Sequence, residues 1–366
     1  LRYELHSKVQ NPLYVGTYTR VLPYDTGHGT NGDGIYLYYL NMSSGSLEFV
    51  QVTDGIVSPS FLVLNPSQNH LYATSEMTGP KGIEAPGYVS AFSINPTTLD
   101  LTFLNRKLSG GIWPCHMTTD ESGNFLLLVN YEDACTSVFP IMKDGSLGEP
   151  MNSVNPVYHG NDQNSQQISH LHSVTFDDDE QIAFSVDKGK DQILIYHLDK
   201  SSGKLNPLEK SSVSVKPGSG PRHFDFHPNR KYAYVINELD STIIIFSYNA
   251  ASKTLQEIQT ISTLPDGFSG NNTGSDIHVH PSGKFLYGSN RGHDSIAIYK
   301  IDERSGTLEY IYNEPTGGQT PRNFGIDPSG TFLLAANQDS DTVVSFRIDQ
   351  KSGKLTPTGN DTNIPS

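Results

Sequence analysis

Thirteen positions of this 366-residue chain carry the side chains best able to do chemistry, and they recur at fixed places in a repeated pattern. Ser60, Cys115, His172, Arg222, Ser275 and Arg322 open one kind of apolar run; Tyr18, Glu76, Tyr131, Asp187, Glu238, Arg291 and Gln338 close the run that follows. Ordinary turns favour Gly, Asn, Asp and Ser, whereas Glu, Arg, Tyr and Gln dominate the closing set. Three of the nine arginines fall among the thirteen positions. Arg222, Arg291 and Arg322 can clamp a carboxylate or phosphate bidentately, or stabilise the oxyanion that develops when a carbonyl is attacked. His172 and Glu238 can move protons, and neighbouring guanidiniums would hold Glu238 in its charged form. No Ser-His-Asp spacing, nucleophile elbow or cysteine-nucleophile motif accompanies them, so water or a group of the substrate itself is the expected nucleophile. The competing reading of each arginine is a structural ion pair with Glu238 or Asp187.

The elements that must position these residues are short strands. Six segments share one layout: an alternating run, an acidic or Asn/Asp/His-Pro turn, and a second apolar run. They begin at Pro59, Pro114, Leu171, Pro221, Gly274 and Pro321, at intervals of 47 to 57 residues. That is the period of a propeller blade. Each continues into a third strand and, through a Ser-Gly or Asp-Gly turn able to supply positive φ, a fourth, as in IAIYKIDERSGTLEYI from Ile296. Val, Ile, Tyr and Phe dominate the runs, and no long window shows helical periodicity. The N-terminal stretch adds a seventh unit, PLYVGTYT, GIYLYYLN and LEFVQVT, that lacks its innermost strand. The reading is an all-β chain forming a seven-bladed β-propeller, 1–366, with four antiparallel strands per blade; six blades is the rival count. Residues 1–10 or the C-terminal tail are expected to close the incomplete blade, since an open edge invites aggregation. In such a ring the opening and closing positions share one face, at the mouth of the central channel.

Composition narrows the function. A net charge of −14 argues against nucleic acid and anionic membranes as partners, and makes any anion site a local basic island. No run approaches the length of a membrane-spanning helix. Two cysteines, Cys115 and Cys135, make no disulfide scaffold and are expected as free thiols. The chain starts at Leu1 without a leader pattern; a cytoplasmic location is expected, with export left open because the native start is expected to be missing. Oligomeric state is open.

His170 with His172, His278 with His280, and His223 with His227 lie on strand faces and resemble metal-binding pairs. Yet His227 and His280 precede a proline where Asn65 and Asp327 stand in sister units, so they are expected as turn residues rather than ligands. Trp113 and the tyrosine-rich strands are expected to pack between blades.

The motifs YVGTYT at Tyr14, GPRHFDFHP at Gly220, YAYVINEL at Tyr232, SDIHVHPSGKFLYGSNR at Ser275 and TPRNFGIDPSG at Thr320 resemble the seven-bladed β-propeller lactonases. That family includes propeller-type 6-phosphogluconolactonases and fungal 3-carboxy-cis,cis-muconate lactonizing enzymes, and the likeness runs from about residue 12 to 358. It implies a cofactor-free enzyme acting on a small anionic lactone or its ring-opened acid. It also implies His172, Arg222, Glu238 and Arg291 as catalytic residues; the repeat alignment, apart from the resemblance, places Arg322, Glu76, Tyr131, Asp187, Gln338 and Tyr18 around the substrate. Hydrolysis of 6-phosphogluconolactone is the favoured reaction. Muconate-type cycloisomerisation, or a non-catalytic propeller binding a glycan, peptide or protein, are the alternatives. An enzyme predicts convergence on one small ligand; a binding module predicts arginines tied up in ion pairs.

Overall fold

A computed structural model describes residues 10–19, 31–77, 86–156, 168–177 and 181–365. Among them are strands and one short 3-10 turn, Gln338–Ser340, and no α-helix. The strands form seven antiparallel sheets, each a meander in chain order. The first holds β1 (Gln10–Gly16), β2 (Ile35–Asn41) and β3 (Leu47–Thr53). The second holds β4 (Leu62–Leu64), β5 (His70–Ser75), β6 (Tyr88–Ile94) and β7 (Leu101–Leu108). The third comprises β8 (Pro114–Thr119), β9 (Phe125–Asn130), β10 (Cys135–Pro140) and β11 (Asn152–Val154). The fourth comprises β12 (Leu171–Phe176), β13 (Ile182–Asp187), β14 (Gln192–Asp199) and β15 (Lys204–Ser214). Sheet five is β16 (Pro221–Phe226), β17 (Tyr232–Asn237), β18 (Thr242–Asn249) and β19 (Thr254–Ser262). Sheet six is β20 (Thr273–Val279), β21 (Phe285–Arg291), β22 (Ser295–Ile301) and β23 (Leu308–Pro315). Sheet seven is β24 (Pro321–Ile326), β25 (Phe332–Asn337), β26 (Thr342–Ile348) and β27 (Leu355–Asn363).

Seven such sheets are the blades of the expected seven-bladed β-propeller. The first has three strands among the described residues, as the missing inner run predicts. Of the two candidates to complete it, residues 1–9 lie outside the described residues, and the C-terminal segment forms β27 in its own sheet. The chain clusters into two compact units, one built on sheets two to four and the other on sheets five to seven, with the first sheet divided between them.

Within each unit, second and third strands supply the core. Tyr72, Val89 and Ala91 of sheet two bury against Met117, Leu126 and Phe139 of sheet three. Tyr234, Ile236 and Ile243 of sheet five bury against Ile277, Leu286 and Tyr299 of sheet six. A fully buried ring such as Phe184 or Phe246 contributes several kcal/mol, and truncation to alanine costs about 3–5. Burying a tyrosine requires a partner for its hydroxyl, and the same solution recurs. Tyr72, Tyr234 and Tyr287 donate to the carbonyls of Gly145, Gly306 and Gly353, each in a hairpin turn of the following sheet (3.1, 3.1 and 2.8 Å). The tyrosines thus lock sheet to sheet, as the sequence predicts.

The turn residues behave alike. Nδ1 of His227 and His280 accepts the backbone N–H two residues on (3.0 and 3.1 Å), so Nε2 carries the proton. Nε2 donates to Gly283 and Gly330 in the next sheet, 2.9 Å each. Asp120 and Asp327 fill the same place with a carboxylate that takes the N–H five residues on. Cys115 and Cys135 are free thiols.

One irregularity repeats through both units and decides the site. In sheet three Pro114 pairs with Asn130 but His116 with Val129, leaving Cys115 off the ladder. His172, Arg222 and Arg322 are skipped in the same way in sheets four, five and seven, and in sheet six Ser275 and Asp276 both fall in the gap. The opening residues of sheets three to seven are therefore β-bulge residues, a feature that re-aims a side chain out of the regular alternation, whereas Ser60 precedes β4 and lies in no such bulge.

Candidate functional site

In the unit of sheets five to seven the bulges present arginines. Gly220, at φ +64°, turns the chain into β16, and its carbonyl accepts the N–H of Glu238 at 2.7 Å. A Cβ on Gly274 would stand 2.3 Å from the carbonyl oxygen of Asn237, so only glycine lets β20 approach the end of β17. That approach delivers Arg291 to Glu238. One carboxylate oxygen, Oε2 of Glu238, accepts from Arg222 Nε and from an Arg291 terminal nitrogen, each at 3.1 Å. Arg222 Nη1 also donates to the Ser275 carbonyl at 2.7 Å, and the Ser275 hydroxyl donates to the Arg322 carbonyl at 2.7 Å. The structure thus brings Arg222, Glu238 and Arg291 together and ties Arg322 to them through Ser275.

The electrostatics of this group are unbalanced. Arg222 and Glu238 are buried, and Arg291 nearly so. Burial first, then the like charge of Arg222, pushes the Arg291 guanidinium below its usual range; Glu238 offsets part of this and Arg322 adds to it. Arg291 Nε is buried and meets no acceptor among the described residues. Arg222, Arg291 and Arg322 act on one another electrostatically around Glu238, a local concentration of guanidiniums on an acidic chain. Ion pairing of Arg222 and Arg291 does occur, but the two cations share a single Glu238 oxygen, and Arg291 Nε is left as a buried donor that meets no acceptor among the described residues. An anion or a developing oxyanion fits that deficit.

In the unit of sheets two to four the bulges present different groups. His172 is buried, with its ring edge-on to Tyr131 at 5.5 Å. Tyr131 is stacked on His170 at 4.5 Å, lies parallel to Trp113 at 6.1 Å, and accepts from Lys188 Nζ at its hydroxyl, 3.2 Å. Trp113 therefore packs against a neighbouring ring, held at φ +60°. The Cys115 thiol points at the carbonyls of Leu171 and His172. Tyr18 donates to Glu76 Oε2 at 3.0 Å. Gln338 opens the 3-10 turn and donates its N–H to Thr320.

Asp187 sits elsewhere than its sequence alignment implies. It pairs with Leu171 as Asn130 pairs with Pro114 and Asn237 with Pro221. Its carboxylate serves a turn, accepting the N–H groups of His170, Gly189 and Lys190 at 2.9, 3.0 and 3.1 Å. The closing place in sheet four belongs to Lys188, whose N–H bonds to His170 as Tyr131 bonds to Trp113 and Glu238 to Gly220. Sequence reasoning missed Lys188 by one residue. The signal was present: Asn130, Asn237, Asn290 and Asn337 each precede a closing residue, and Asp187 aligns with them. It also missed Asp276, discussed below. Among the described residues no group of three or more His, Cys, Asp or Glu side chains is arranged to hold a metal ion, and no helix is long and apolar enough to cross a membrane.

Comparison with known proteins agrees with this fold. A family profile described as "Lactonase, 7-bladed beta-propeller" matches residues 12–366. A 6-phosphogluconolactonase of Bacillus subtilis is 35% identical over 305 residues, 83% of this chain and 82% of its own. One from Formosa agariphila is 37% identical over 311 residues, 84% of each chain. The structure of a periplasmic gluconolactonase from Pseudomonas aeruginosa superposes with a TM-score of 0.87 at 28% identity, covering 98% of this chain and 97% of that one. Sheet by sheet and over nearly its whole length, the chain belongs to the seven-bladed β-propeller lactonase family.

Proposed function

We propose that the protein hydrolyses 6-phosphogluconolactone to 6-phosphogluconate, with the Arg222–Glu238–Arg291 cluster at the centre of the chemistry. The observation that carries this reading is the pair of guanidiniums sharing one Glu238 oxygen while Arg291 Nε, buried, meets no acceptor among the described residues. The reaction supplies what the cluster lacks. Water adds to the lactone carbonyl, the carbonyl oxygen becomes an oxyanion, and collapse expels the ring oxygen, which takes up a proton to become the hydroxyl of the open acid. Fixed guanidiniums stabilise that oxyanion, or hold the phosphate, without reorganising at the moment of reaction. Glu238 or His172 takes the proton from the attacking water. Arg322, Glu76, Tyr131, Gln338 and Tyr18 are the proposed substrate contacts, with Lys188 taking the place expected of Asp187, whose carboxylate is spent on its turn. The relatives named 6-phosphogluconolactonase favour the phosphorylated lactone, and a doubly charged substrate that does not cross a bilayer unaided favours a cytoplasmic site of action.

The test is lactone hydrolysis followed by proton release, with spontaneous opening subtracted, on 6-phosphogluconolactone and on gluconolactone. Wild type is expected to exceed the background on the phosphorylated lactone. Loss of the general base lowers kcat by about 10²–10⁴, so whichever of Glu238→Gln and His172→Gln shows that loss identifies it. A wild type that never exceeds the background on either lactone removes the reading. Faster turnover of gluconolactone keeps the lactonase and corrects its substrate.

A further inference from the structure

The opening residues are followed, in sheets five, six and seven, by His223, Asp276 and Asn323, three side chains of complementary hydrogen-bonding type at one repeat position. They meet. Asp276 Oδ1 accepts from His223 Nδ1 at 2.7 Å, and Oδ2 accepts from Asn323 Nδ2 at 2.6 Å. His278 Nε2 lies 3.2 Å from Oδ2, and the backbone N–H groups of Ile277 and Phe324 complete the shell at 2.9 and 3.2 Å. Five donors saturate a carboxylate that has about four lone-pair sites, so the buried Asp276 is held ionised, well below the usual carboxylate range, despite burial that opposes the charge.

The proton positions follow from the acceptors. Because Asp276 can only accept, His223 Nδ1 carries a hydrogen. The guanidinium of Arg222 can only donate, and its Nη1 lies 3.2 Å from His223 Nε2, so Nε2 presents its lone pair. The chain reads Asp276 to His223 to Arg222, and it exists because the bulge at Arg222 breaks the alternation that would otherwise send adjacent side chains to opposite faces. Arg222 is thereby fixed from three sides: Glu238 on Nε, the Ser275 carbonyl and His223 on Nη1.

We propose that Asp276, acting through His223, is the positioning residue that holds the Arg222 guanidinium where the lactone chemistry needs it. This rests on the lactonase reading above. The carboxylate selects the imidazole tautomer, as a carboxylate does for a catalytic or metal-bound histidine, but the group it serves is an arginine. The imidazole sits buried against Arg222 and Asp276 and takes no proton from the reaction. Asp276 also binds β16, β20 and β24 together, which sets the spacing of Arg222, Ser275 and Arg322.

The experiment compares His223→Leu, His223→Gln and Asp276→Asn with wild type by kcat, KM and melting temperature, and records the imidazole nitrogens by ¹⁵N NMR, with His223 assigned from its variants. Displacing a positioned group by about an ångström costs up to about 100-fold in rate. His223→Leu is expected to lose about 10- to 100-fold in kcat/KM, mainly in kcat, while remaining folded. His223→Gln, whose carbonyl oxygen can accept from Arg222, is expected to recover much of that loss. Wild-type His223 is expected in the Nδ1–H form, and Asp276→Asn is expected to shift the tautomer and lower kcat. Full activity in His223→Leu, no advantage of Gln over Leu, or an Nε2–H wild-type ring would each overturn the proposal. Should Asp276→Asn fail to fold, the two His223 variants and the wild-type spectrum decide. Should the wild type lack lactonase activity, the functional reading fails, and the tautomer still reports whether the Asp276–His223–Arg222 chain exists.

Discussion

The two units use the same backbone device and load it differently. In sheets five to seven the residues that follow the opening positions are His223, Asp276 and Asn323, a hydrogen-bonded row, and the bulges carry Arg222, Ser275 with Asp276, and Arg322. In sheets two to four the corresponding residues are Phe61, His116 and Ser173; Phe61 stacks on His116 at 4.2 Å, and the bulges carry Cys115 and His172. A polar row can hold guanidiniums in fixed directions, whereas an aromatic row fills space. The scaffold repeats, then, and the chemistry resides in which repeats carry charge and a second row to hold it.

Stability should expose the contrast most strongly at the two closing glutamates. Glu238→Ala leaves Arg222 and Arg291 facing each other in a buried place, and breaking a buried pair in this way costs about 3–5 kcal/mol. Glu76→Ala removes an acceptor from the Tyr18 hydroxyl, for which about 1–3 kcal/mol is expected. Urea midpoints of the two variants measure the difference, and equal losses would erase the distinction between the units. Because Glu238→Ala disturbs folding as well as chemistry, Glu238→Gln is the cleaner kinetic variant.

A smaller effect comes from pH. Burial, and then Arg222, lowers His223 to about 4, so the folded state resists its protonation; stability falls as pH drops from the unfolded value of about 6.5 towards 4. Burial opposes the charge on His278, but Asp276, by charge and hydrogen bond, together with Asp225, raises it to about 9. Its contribution is full below about 6.5 and is lost as pH rises through about 9. Only the second dependence is driven by Asp276, which opposes the lowering of His223. Asp276→Asn should therefore flatten the basic limb of the urea-midpoint profile, and an unchanged limb would detach His278 from that carboxylate.

The smallest expected effects separate two adjacent residues of sheet four. Asp187→Ala strips three backbone N–H groups of their acceptor and should cost about 1–3 kcal/mol of stability. Lys188→Ala should change stability by less than about 1 kcal/mol and act instead on KM. The reverse pattern would restore Asp187 to the closing position and remove Lys188.

The repeat was legible in the sequence because a strand period of two and a blade period near fifty residues both leave their mark on apolar residues. Arg222, Glu238 and Arg291 could be placed together because repeat alignment converts sequence offset into position. Asp187 was misplaced because the Asn that precedes the closing residue in sheets three, five, six and seven is an Asp in sheet four, and an Asp reads equally well as the closing residue itself. Asp276 was hidden for a different reason. Its partners come from three sheets, and only the complementarity of His, Asp and Asn at one repeat position points to it. The pairing of two guanidiniums on one oxygen is likewise a matter of side-chain direction, which composition does not record.

The most direct test of the account sets two bulge residues against each other. Background-subtracted initial rates on 6-phosphogluconolactone, measured for wild type, Arg222→Ala and Cys115→Ala, ask whether the charged row carries the chemistry. The account predicts a loss of about 10²–10³ in kcat/KM for Arg222→Ala, the scale of a lost oxyanion donor, and less than about threefold for Cys115→Ala, well under 1 kcal/mol. Full activity in Arg222→Ala would contradict it.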